Sequence, residues 1–148
     1  MDNQFLSEIE KFLNTDAWNY TVFLRFYETS PTKDASKEAI VKTLLASQNV
    51  LCSLERVEKS SVWPVIESCL LYAGTDGEGP AASTIKSAKM AALMLDFEHR
   101  VRRLSDSADT IDAVDLQDGH PAYPVFWDFA FLFSGEETAS LLIGSSSD

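Results

Sequence analysis

Five aspartates, Asp106, Asp109, Asp112, Asp115 and Asp118, recur at every third position. Carboxylates at regular spacing can hold a divalent cation, move protons, or present an anionic surface to a cationic partner. The first use needs a particular geometry. An EF-hand calcium loop takes oxygen ligands from positions 1, 3, 5 and 12 with glycine at 6. Steps of three do not supply that pattern, although Gly119 follows Asp118. On an α-helix each step of three turns about 300°, so five aspartates spread around most of the circumference. Only a 3₁₀ run would align them, and such runs are short. Like charges three apart also oppose helix formation by a few tenths of a kcal/mol per pair. The segment 105–119 is therefore expected to be a short irregular helix or loop, acidic on its exposed side, with Ile111, Val114 and Leu116 turned inward.

The other reactive side chains form no catalytic constellation. A cysteine or serine nucleophile needs a histidine base, and the only histidines are His99 and His120. His99 falls in a helical stretch beside Glu98 and Arg100; His120 lies in a turn before Pro121. Cys52 and Cys69 have apolar neighbours and read as buried thiols of a reducing compartment. The glycines of 74–79 and Gly135 match neither a P-loop nor a dinucleotide fingerprint, and the chain has no CxxC or HxxxH pair. No catalytic residue, metal ligand or cofactor is assigned from the sequence. Arg100, Arg102 and Arg103 read as the cationic end of a helix.

Charge is distributed unevenly. Residues 1–103 hold fourteen acids and twelve bases, whereas the last 45 residues hold nine acids and neither lysine nor arginine. A net charge of −11 repels nucleic acid and anionic lipid and favours a basic protein partner. The aspartate segment reads either as a solvated, charged connection or as a docking surface; in the second reading the candidate partner-binding residues are the five aspartates with Glu136 and Glu137. Tyr123 and Trp127 are candidate aromatic anchors inside that acidic surface. The start, Met-Asp-Asn-Gln, has neither a basic nor an apolar run, so no secretory leader is expected and the location is read as cytoplasmic.

These residues need a folded frame. At 148 residues, 45% hydrophobic and 11% aromatic, the chain is expected to form one α+β domain, 1–148, with a substantial core. Residues 3–14 place Phe5, Ile9, Phe12 and Leu13 at helical spacing. Residues 18–27 (WNYTVFLRFY) are aromatic and β-branched with two apolar faces, and predict a central strand. A helix is expected from about Ser36. Residues 50–58 either continue that helix or form a strand after a Gln48-Asn49 turn; helix is favoured because Val50, Leu51, Leu54 and Val57 fit helical spacing better than strand alternation. Residues 61–73 predict a helix with Pro64 in its first turn. Gly74–Pro80 predicts a loop, and 80–104 the longest helix, with an apolar stripe from Met90 to Leu104. Residues 125–133 (VFWDFAFLF) and 138–143 predict an antiparallel hairpin closed by four or five residues. The serines 145–147 are expected to form a polar tail. The sum is several helices on a small antiparallel sheet of about three strands.

The C-terminal FWDFAFLFSGEETASLLIGSSSD, an apolar hairpin with a short polar end, together with the small acidic α+β form, resembles the immunity proteins of bacterial toxin systems, including contact-dependent inhibition. The similarity covers about a sixth of the chain. It implies an inhibitor acting by tight protein–protein binding. Many such toxins are nucleases with basic active sites, where acidic side chains take the place of phosphates. Two other readings stay open: a non-catalytic subunit or adaptor that assembles through the apolar hairpin, and an enzyme of unrecognised type using buried carboxylates. The sequence leaves the oligomeric state undetermined.

Overall fold

The computed structural model describes residues 1–75 and 77–148. Asp76, inside the Gly74–Pro80 stretch expected to be a loop, lies outside the described residues. The fold is α+β. Its elements in chain order are α1 (Asn3–Asn14), β1 (Thr21–Thr29), α2 (Lys37–Leu44), β2 (Cys52–Arg56), α3 (Lys59–Leu70), α4 (Ala82–Ile85), α5 (Ala88–Ser107), β3 (Thr110–Leu116), β4 (Asp128–Ser134) and β5 (Ala139–Ser147). The strands form one fully antiparallel sheet in the order β1-β5-β4-β3-β2.

The sheet is buried on both faces. Along β4 the side chains alternate with period two. Phe129, Phe131 and Phe133 join the cluster built with α1, α3 and α5, and Ala130 and Leu132 join the cluster under α2. On the first face, Phe97 of α5 meets Phe5 of α1 and Trp63 of α3 edge-on, with centroids 5.7 and 5.8 Å apart. On the second, Ile40, Val41 and Leu44 of α2 cover Leu132, Leu141 and Ile143. The hairpin β4–β5 is thus the centre of the molecule. Neither of its faces is left as an apolar surface through which to assemble.

Five strands, rather than three, correct the sequence reading at two places. Residues 52–56 are strand, not helix, because Cys52 and Leu54 turn to the α2 face while Ser53 and Glu55 turn away. The aspartate segment is neither irregular helix nor loop; it is the end of α5 followed by β3. Other corrections are smaller. β1 is an edge strand, not a central one. The expected helix 80–104 is divided into α4 and α5, because the Ser87 hydroxyl accepts from Met90 N–H at 3.0 Å and starts α5 afresh. Pro64 lies in the second turn of α3, since that helix begins at Lys59. Ser145–Ser147 is not a tail but the end of β5. Ser145 and Ser146 are fully buried, with Ser145 Oγ donating to Ala122 O and Ser146 Oγ accepting from Trp127 N–H. Among the described residues, no helix is long and apolar enough to cross a membrane.

Candidate partner-binding surface

Strand geometry takes the aspartate row apart. In a β-strand a step of three changes face, so Asp112 and Asp115 point to opposite sides of the sheet. Asp106 lies exposed in the last turn of α5 and Asp109 just before β3, near the β4–β5 turn that carries Glu136 and Glu137. These four carboxylates share one end of the sheet. Asp115 and Asp118 lie toward the other end, both exposed.

Asp112 is the exception. Only 6% of its side chain is exposed, and it is ion-paired to Lys37 of α2 and to Arg56 of β2, the latter at 3.2 Å. Its charge serves the packing of α2 on the sheet and is not presented to a partner. Trp127 is likewise removed from the surface set. It stacks on Phe129 and donates its Nε1–H to the buried Tyr20 hydroxyl at 2.8 Å. Tyr123, by contrast, is 82% exposed on the long 117–127 connection.

A concavity at the β3–β4 seam involves a residue the sequence reading missed. The β3–β4 ladder stops at Ala113↔Phe131. Beyond it β3 still pairs with β2 as far as Leu116, and β4 with β5 as far as Asp128. The two strands therefore part, and α3 bridges the opening on one face. The resulting groove is about 440 Å³, floored by Val57, Ala113, Phe129 and Phe131 and flanked by Val65 of α3. Three acidic residues contribute to its lining: Glu55 and Asp115 on the face of Phe129 and Phe131, and Asp128 at the end of β4, in phase with Ala130; the lining contains no lysine or arginine. Asp115 belongs to the expected set. Glu55 was hidden by the helical reading of 50–58, although alternation of Ser53 and Glu55 with Cys52 and Leu54 was the signal available.

The 117–127 connection packs beside the end of β4, toward the α2 side of the sheet. His120 Nε2 lies 3.0 Å from Asp128 Oδ2, and Gly119 packs near Leu45 and Val50. The Cys69 thiol of α3 is pushed up to about 11, chiefly by burial, against a hydrogen bond from Ser68 and with a smaller push from the Asp128 carboxylate. Among the described residues, no group of three or more His, Cys, Asp or Glu side chains is placed to hold a metal ion. Arg100 and Arg103, with His99, line a separate and larger concavity of about 940 Å³ beside α5, together with Met1, Asp96 and Asp106. What the groove can do chemically is accept cationic side chains: its floor is apolar, its rim is anionic, and its width comes from the split ladder.

No protein-family model, curated protein or solved structure matches this chain.

Proposed function

We propose that this chain is a non-catalytic binding protein that neutralises a basic protein partner, in the manner of the immunity proteins of bacterial toxin systems. The observation that carries this reading is the groove between β3 and β4, where Glu55 and Asp115 flank an apolar floor, Asp128 joins the lining at the end of β4, and the lining has no lysine or arginine. A concave apolar floor supplies burial, and the exposed carboxylates of Glu55 and Asp115 supply steering and selectivity for cations. Exposed Asp106, Asp109, Asp118, Glu136 and Glu137 extend the same field over the rest of the C-terminal third. Tyr123, exposed on the 117–127 connection, is the aromatic anchor in this reading. A toxin with a cationic active site, such as a nuclease, fits this chemistry, and the cytoplasm is where such an inhibitor would act.

The test is protection. The chain is co-expressed with the product of the gene beside its own, and growth is scored with wild type and with the combined Glu55→Gln, Asp115→Asn, Asp128→Asn variant. The wild type should rescue growth. The variant, expressed at the same level with an unchanged melting temperature, should lose most of that rescue. Rescue that persists in the variant would remove the groove from the function.

A further inference from the structure

The two outer strands of the sheet are finished differently. In an antiparallel pair, the N–H and C=O groups of alternate residues face the neighbour and the rest face away. On β1 the outward groups belong to Val22, Leu24 and Phe26, and side chains of α1 meet them. Asn14 accepts from Val22 N–H at 2.7 Å and donates to Val22 O at 3.1 Å. Glu10 accepts from Leu24 N–H at 2.6 Å, and Asn3 forms the same double bond with Phe26 as Asn14 does with Val22. On β2 the flanking bonds from Gln117 N–H to Leu51 O and from Val57 N–H to Ile111 O fix the phase. Ser53 and Glu55 therefore bond to β3, while Cys52, Leu54 and Arg56 turn their backbone groups outward. Among the described residues, nothing bonds to those outward groups. An open edge of this kind is a template for another strand.

Charge selects the occupant. Ser53 and Glu55 face the groove, with Asp115 behind them opposite Ser53. Arg56 points to the other face and is held by Asp112. A second copy of this chain would bring another −11 to the same edge. We infer that β2 receives an extended basic segment of a protein partner by strand addition. Lysine or arginine at every second position of that segment turns toward Glu55 and Asp115, and β-branched or aromatic residues between them pack beside Cys52 and Leu54. This rests on the reading of the chain as a binder of a basic partner.

The probe is a pool of ten-residue peptides with lysine or arginine at alternate positions and valine, isoleucine, threonine or tyrosine between, compared with the same pool carrying glutamate. The full chain should select basic peptides, and deuterium exchange at the amides of Cys52, Leu54 and Arg56 should slow about tenfold or more on binding. N-methylation of the selected peptide at the residues that face β2 should cost about tenfold or more in affinity, while methylation at the alternating residues should leave affinity within about twofold. Leu54→Pro removes one outward N–H without touching the β3 ladder and should weaken binding similarly; the methylated peptides keep the test decisive if that variant unfolds. Binding that is lost with Glu55→Gln, Asp115→Asn, Asp128→Asn but leaves the three amides unprotected overturns strand addition while supporting the basic-partner reading. Protection of the amides by acidic and basic peptides alike overturns the basic occupant and that reading together. A concentration-dependent dimer protected at the same amides, or no binding by any peptide, overturns the inference.

Discussion

At the scale of single residues, the packing between β1, β5 and β4 turns on Gly144. It is paired with Leu24 on one side and Phe129 on the other. A Cβ there would stand 2.5 Å from Phe129 Cζ and 2.9 Å from Leu24 Cδ2. Gly144→Ala should therefore cost about 1–3 kcal/mol of overpacking, read as a lower midpoint in urea. An unchanged midpoint would mean that the Phe129 ring can shift without cost. Below it, Tyr20 is buried between Tyr72 and Phe126, with centroids 5.9 and 5.5 Å away. Burial holds its phenol well above the ordinary value, with Trp127's hydrogen bond opposing and Cys69 and Tyr72 adding to the rise. The folded value lies above the unfolded one, so the fold has the full benefit below the ordinary phenol value of about 10 and loses it as pH climbs through the higher folded value. In an alkaline titration followed at 295 nm, one of the four tyrosines should ionise only together with unfolding. Tyr20→Phe should abolish that late step. It should also cost about 1–3 kcal/mol by leaving Trp127 Nε1 buried without an acceptor.

At the scale of elements, α1 does two jobs. Its apolar side, Phe5, Leu6, Ile9 and Leu13, enters the core, while Asn3, Glu10 and Asn14 complete the outer edge of β1. Asn14→Ala removes both bonds to Val22 and should lower stability by about 1–3 kcal/mol, with faster hydrogen exchange at the Val22 amide. Combined with Asn3→Ala, it should also bare the edge and raise turbidity on mild heating. If exchange at Val22 stays slow, the strand is held by β5 alone. This arrangement explains what could and could not be read from the sequence. The spacing of Phe5, Ile9 and Leu13 and the alternation of Val22, Leu24 and Phe26 revealed α1 and β1. Two apolar faces suggested a central strand, but here they mark only a sheet covered on both sides. The hydrogen-bond partners of its edge were disguised as the polar face of a helix. β2 failed for a related reason: Val50, Leu51, Leu54 and Val57 fit a helical template by coincidence. β3 failed because Asp112 interrupts the alternation of an inward face. Its compensating cations, Lys37 and Arg56, come from elements 75 and 56 residues away along the chain. Serine at 145–147 reads as solvent-exposed unless one knows that Ala122 O and Trp127 N–H are waiting for the first two.

At the scale of the whole molecule, the asymmetry of charge was fully legible and its geometry was not. Nine acids fall after Arg103, but the fold distributes them. Asp106, Asp109, Glu136 and Glu137 go to one end of the sheet, Asp115, Asp118, Asp128 and Asp148 toward the other, and Asp112 goes inside. Glu55, from the nearly neutral first part of the chain, joins the groove that the last third only half builds. The field that would attract a basic partner is also a field the fold must resist, because most of these carboxylates face one another through water without cations between them. Salt acts on the two consequences with opposite signs. Screening relieves self-repulsion, so raising sodium chloride from 0.02 to 0.5 M, where the Debye length falls from roughly 20 to 4 Å, should raise the melting temperature by a few degrees. The same change should weaken association with a basic partner by an order of magnitude or more, mostly through a slower on-rate. The internal pairs, Asp112 with Lys37 and Arg56 and Glu10 with Arg25 at 2.7 Å, are partly buried and respond less to salt. A melting temperature that falls with salt would mean that those pairs, rather than the exposed carboxylates, dominate the electrostatics of the fold. Weaker binding would then be attributable in part to a loosened sheet. A rising melting temperature with falling affinity isolates the exposed acidic surface as the part of the molecule whose charge is unfavourable for folding and available for recognition.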